Sequence, residues 1–116
     1  MAKRAVILFV QDILESIEQL ERYTQGITLA EFQLNLEKQD AVIRRIEIIG
    51  EATKNLPDEL RARYPQIPWK YMAGMRDVVA HDYFGLDLAR VWNVATEDVP
   101  SLKPTIQQVI ADLEHK

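Results

Sequence analysis

Apolar residues recur along this chain at steps of three and four, and no stretch sustains the apolar–polar alternation of a half-buried strand. From Lys3 to about Tyr23, the positions Val6, Val10, Ile13, Ile17 and Leu20 form one stripe with Leu14 alongside, ending near Gly26, which predicts a long first helix. Thr28 followed by Glu31 has the spacing of a capping box and opens a short second helix to about Leu36. The stretch "QDAVIRRIEIIGEATKNLP" supplies a third helix from about Asp40. Val42, Ile46, Ile49 and Leu56 fall on one of its faces, with Ile43 and Ile48 beside or behind, and Pro57 ends it or begins the next element. Asp58 to Tyr64 reads as a short helical turn ended by Tyr64-Pro65. Pro68 suits the first turn of a helix carrying Trp69, Met72, Met75 and Val79, with Gly85 as its C-terminal cap. Asp87 can cap a further helix through Leu88, Val91, Trp92 and Val94, and Asp98 and Pro100 punctuate the chain before a last helix through Ile106, Val109, Ile110 and Leu113. The expected fold is all-α, an antiparallel bundle of about five helices with short connections.

Length and composition narrow this further. The 116 residues suffice for one domain with its own core, so residues 1–116 are read as a single unit. Hydrophobic residues at 47% and charged residues at 28% are ordinary for a soluble globular protein. The chain has no cysteine, which excludes disulfides, thiolate metal sites and thiol nucleophiles and permits a reducing compartment; a cytoplasmic location is expected. Gln11 and Asp12 interrupt the apolar run that follows Lys3 and Arg4, so the first residues read as neither signal peptide nor membrane span. A formal net charge of -4 repels polyanions at long range, so any nucleic-acid binding must come from a local basic patch or an assembled cleft.

Candidate chemistry concentrates in "MAGMRDVVAHDYFG", Met72 to Gly85, where Arg76, Asp77, His81, Asp82 and Tyr83 stand in an otherwise apolar segment. Asp77 and His81 are four apart and share a helix face, so the carboxylate can hydrogen-bond the imidazole, orient it and favour its protonated form. Arg76 and His81 are five apart, about 140° around a regular helix, and do not share a face. Arg76 and Tyr83, seven apart, lie nearly in line. A fixed cation, a titratable group and an orienting carboxylate are what phosphoryl chemistry uses: the guanidinium for charge on the phosphorane, the imidazole for proton transfers. On spacing alone the plainer alternative is favoured, with His81 a satisfied core or interface histidine and Arg76 and Asp77 part of a surface ion-pair network.

Three stretches carry a wider resemblance: "QDAVIRRIEIIGEATKNLP", "YPQIPWKYMAGMRDVVAHDYFGLDL" and "VWNVATEDVPSLK". Together they are similar to the HepT-like branch of the HEPN superfamily over essentially the whole chain. That family's pattern is Arg, a polar residue, three more, His, one more, Tyr, which Arg76, Asp77, His81 and Tyr83 match in type and spacing. The resemblance implies a metal-independent RNase toxin acting on RNA as a homodimer, with Arg76 and His81 catalytic and no cofactor. It also implies a partner, a minimal nucleotidyltransferase antitoxin of the MntA type, that attaches AMP to Tyr83. An alternative from another class is a non-catalytic helical module that docks a nucleotidyltransferase and presents Tyr83 or a nucleotide to it.

A dimer also follows from the chemistry. Metal-free cleavage by the 2′-hydroxyl needs one group to accept a proton and another to give one to the leaving 5′-oxygen, and the chain has one internal histidine. A two-fold axis would set two copies of Arg76 and His81 around one phosphate. Gly74, costly in a helix interior, would suit a close helix–helix approach, either across such a dimer or within one chain. Glu47 and Glu51 could bind a metal, but Arg44 and Lys54 nearby make ion pairs the better reading, and no metal is assigned. Arg44 and Arg45 suit a solvated face better than an RNA surface, Trp69 and Trp92 suit core packing better than base stacking, and His115 reads as a frayed tail residue.

Overall fold

A computed structural model describes residues 5–81 and 87–115, and for residues 76–81 it describes the backbone alone. The chain forms α1 (Val6–Thr24), α2 (Leu29–Gln33), α3 (Leu36–Lys54), α4 (Asp58–Arg63), α5 (Trp69–His81) and α6 (Leu88–Asn93). A π turn (Val94–Asp98) and a 3₁₀ turn (Pro100–Leu102) then lead into α7 (Lys103–Glu114). The described residues contain no strand, and the fold is an all-α helical bundle measuring 46 × 27 × 27 Å.

The α1 stripe is buried as its spacing predicts: Val10, Ile13, Ile17 and Leu20 have no exposed surface. Gly26 ends this segment at φ 77°, in the left-handed region that side chains with a Cβ resist. The capping box at α2 is complete. Glu31 N–H donates to Thr28 Oγ1 at 3.1 Å, and Thr28 N–H donates to Glu31 Oε1 at 2.9 Å. Phe32, fully buried, pins this short helix to the core.

The start of α3 departs from expectation, at Leu36 rather than about Asp40, with α2 ending at Gln33. Asn35 is the cap: its Oδ1 accepts from Lys38 N–H at 3.0 Å. Gln39 then reaches back, donating to the carbonyls of Phe32 at 3.0 Å and Gln33 at 3.2 Å, which adds side-chain bonds to the exit of α2. α3 is the central helix, packed most extensively against α1 and α5. Its Val42, Ile46 and Ile49 lie in the core with Met72 and Met75 of α5 and Ile106 and Val109 of α7.

The last third is less interrupted than Asp98 and Pro100 suggested. Winding continues from α6 into the π turn, where Val99 N–H donates to the Val94 carbonyl at 2.9 Å, and on through the 3₁₀ turn. Pro100 and Pro104 open the 3₁₀ turn and α7, positions where a helix tolerates a missing N–H. Long-range polar contacts fasten α7: Lys103 Nζ meets Glu21 Oε1 at 2.8 Å and Glu18 Oε2 at 4.0 Å, and Tyr64 Oη donates to Asp112 Oδ2 at 2.6 Å. No described helix is long and apolar enough to cross a membrane.

Candidate functional site

The helix that carries the candidate residues, α5, is set in place at its first turn. Pro68 precedes it, and the Trp69 indole N–H donates to the carbonyls of Arg61 and Tyr64, each at 3.0 Å. The tryptophan side chain thereby ties the entry of α5 to the C-terminal turn of α4. Met72, fully buried, and Met75, 3% exposed, then seat the helix on α3. From this seat α5 runs as regular helix through Arg76 and Asp77 to His81. Their backbone positions therefore keep the angular relations of the sequence reading: Asp77 one turn before His81, and Arg76 about 140° away from it. The side chains of Arg76, Asp77 and His81 lie outside the described residues, as do Tyr83 and the proposed cap Gly85.

One turn upstream, on the same helix, the structure brings together residues that the sequence reading did not single out. A pocket of about 150 Å³ opens between α3, α5 and α6. Ile46, Met75, Val91 and Val94, all buried, give it apolar walls, and the exposed Tyr71 and Arg90 stand beside them. Tyr71 Oη donates to Asp98 Oδ2 at 2.5 Å, joining α5 to the end of the π turn. Partial burial, then this bond to a carboxylate and its charge, push the Tyr71 phenol up to about 12, with the Arg90 cation acting in the opposite sense. The proton thus stays on Tyr71, leaving the phenolic lone pair and the second Asp98 oxygen as acceptors.

Gly74 lines the same pocket, and a Cβ placed on it meets nothing within 4 Å among the described residues. Among the described residues, then, none packs closely against Gly74, as the within-chain reading of this glycine would require. Trp69 is a core residue at 7% exposure, as expected, whereas Trp92 is half-buried and packs its ring 5.2 Å from that of Phe32. Arg44 is exposed, and no ion pair joins it to Glu47 among the described residues. No group of three His, Asp or Glu side chains among the described residues is arranged to hold a metal ion.

A family model described as ribonuclease HepT-like matches residues 13–109. The chain belongs to the HepT-like ribonuclease family. A relative from Thermococcus cleftensis, named as a probable ribonuclease HepT, is 43% identical over 107 residues, covering 92% of this chain and 97% of that one. A Methanocaldococcus jannaschii protein named as a candidate RNase is 40% identical over 116 residues, all of this chain and 96% of its own. Another from that organism, named for a gamma-glutamylcyclotransferase as well as a candidate RNase, is 48% identical over 112 residues; this HepT-like chain spans 50% of its length. No solved structure matches.

Proposed function

We propose that this HepT-like protein is an endoribonuclease, the toxin of a toxin–antitoxin pair, that cleaves RNA in the cytoplasm without a metal ion at a site shared by two copies of α5. Arg76 holds charge on the phosphorane and His81 transfers the protons, with Asp77 orienting the imidazole. The 2′-hydroxyl gives up its proton as its oxygen attacks phosphorus, and the departing 5′-oxygen takes one up. One imidazole must be neutral and another protonated for both transfers to be served, which is the chemical reason for two copies. A cognate minimal nucleotidyltransferase would silence the site by adding AMP to Tyr83, setting a bulky phosphodiester anion against the same arginine.

The observation that carries this reading is the unbroken run of α5 through Arg76, Asp77 and His81 in a chain that belongs to the HepT-like ribonuclease family. The half-turn offset between Arg76 and His81 adds weight to a two-copy site, because one helix does not present both to one point. The test is cleavage of a mixed single-stranded RNA by wild type and His81→Ala in EDTA, with sedimentation run on both. Wild-type cleavage that survives EDTA, is lost in the variant and belongs to a dimer is expected. Cleavage restored only by a divalent ion would overturn the metal-free assignment. A folded wild type that cuts nothing yet binds a nucleotidyltransferase would favour the docking-module alternative.

A further inference from the structure

The pocket beside α5 raises a question that the proton-transfer chemistry leaves open: why a helix seated by buried methionines keeps a glycine against which no described residue packs. Gly74 gives up helix propensity without any close contact in return among the described residues, so the space above it is itself the feature to be explained. From the geometry of that space we infer that it is a nucleobase subsite, taking one pyrimidine of the RNA next to the scissile phosphate.

Three properties of the site favour that occupant. First, its volume of about 150 Å³ matches an apolar cavity that holds a single six-membered ring. Second, the apolar walls of Ile46, Met75, Val91 and Val94 are joined by the exposed ring of Tyr71, the kind of surface on which a base stacks. Third, the polar groups are those that read a base and hold its phosphate. The Tyr71 hydroxyl, its proton committed to Asp98, presents acceptors that suit the amino group of cytosine or the N3–H of uracil. Arg90, exposed beside them, supplies a cation for the neighbouring phosphate in a chain whose net charge of -4 otherwise repels RNA.

Position on the helix agrees. His81 lies seven residues beyond Gly74, about 20° around α5 and about 10 Å along its axis, so the two backbone positions stand on one stripe. A base held at Gly74 would belong to a nucleotide adjoining the one cut near His81. This inference rests on RNA being the ligand of α5, and its test is therefore made on binding, apart from cleavage.

Gly74→Leu fills the space while leaving the helix with a better helix former, so its thermal stability is expected to equal or exceed that of wild type. Anisotropy titrations would use short 2′-O-methyl oligoribonucleotides that cannot be cleaved, each with one pyrimidine in turn replaced by an abasic site. For wild type, one abasic position is expected to weaken binding roughly ten-fold or more. Gly74→Leu should weaken binding of the intact oligonucleotide to the same degree and be indifferent to that abasic site. Arg90→Gln should weaken all the oligonucleotides alike and flatten the salt dependence. Wild-type binding indifferent to every abasic position would overturn the inference. So would a Gly74→Leu protein that sediments as a monomer where wild type is a dimer, since the space would then seat a second copy. Base-dependent binding without cleavage of the 2′-hydroxyl oligonucleotide would uphold the subsite and sink the ribonuclease reading.

Discussion

Trp69→Phe tests whether α5 is held from its first turn. The indole N–H bonds the carbonyls of Arg61 and Tyr64, but neither depends on it: Arg61 also accepts from Tyr64 N–H at 3.1 Å, and Tyr64 from Ile67 N–H at 3.0 Å. Phenylalanine therefore orphans no acceptor, and the loss is the net worth of one shared hydrogen bond, about 0.5–1.5 kcal/mol. Because the side chain is 7% exposed, the smaller ring also forfeits burial and leaves a partial cavity. That adds about 1–2 kcal/mol. Together the change destabilises by roughly 1.5–3.5 kcal/mol, which lowers Tm by roughly 6–14 °C in a domain of this size. Urea unfolding and a thermal melt, both followed by circular dichroism, would measure it. Trp92→Phe is the control, since that ring is half-buried and its loss should be smaller. A Trp69→Phe change below about 0.5 kcal/mol, within the noise of surface substitutions, would refute the claim that this tryptophan anchors the helix.

Arg76→Lys keeps the charge but loses the planar fork that can hold two phosphate oxygens, so turnover should fall roughly 10²- to 10³-fold; near-wild-type cleavage would reduce Arg76 to a diffuse charge. Tyr83→Phe should retain most RNase activity yet gain no AMP mass with a cognate nucleotidyltransferase and ATP, and an adduct persisting on the Phe variant by intact-mass spectrometry would place the handle elsewhere. Tyr71, pushed up to about 12 against an unfolded value near 10, holds its proton more tightly in the folded state. The associated stability is complete below about pH 10 and is lost as pH rises towards 12; in Tyr71→Phe the alkaline decline should be shallower, and identical declines would refute the assignment.

The elements legible in the sequence were those fixed locally. The α1 stripe, the Thr28–Glu31 box and the apolar seat of α5 each depend on spacing within one helix, and each formed as read. The start of α3 is not legible because the apolar stripe begins at Val42, while the turn that Asn35 caps holds one exposed leucine, Leu36, among polar residues and carries no periodic signal. The π turn was invisible for a related reason: a single wide turn has no repeat from which to read its period. At the site, Arg76, Asp77 and His81 could be picked out as a pattern on one helix. Tyr71 and Asp98 could not, since they are 27 residues apart and only the docking of α5 beside the π turn joins them. Gly74 stands out in sequence, but a glycine there does not distinguish a position where another backbone presses close from one where space is kept open.

The wide turn at Val94–Asp98 and the tight one at Pro100–Leu102 sit back to back. One takes up chain and the other lets it out, so the stripe of α7 meets α1 in register, with Ile106 and Val109 fully buried. This pair makes the segment a place where the length of the chain can change by one residue. Deleting a residue from the π turn leaves an ordinary α turn with α7 still aligned, whereas the same deletion midway along α1 rotates every later apolar position by about 100°. A variant lacking Thr96 should therefore keep a cooperative melt, and one lacking Glu15 should not. If both unfold alike, the paired turns do not act as a buffer of length.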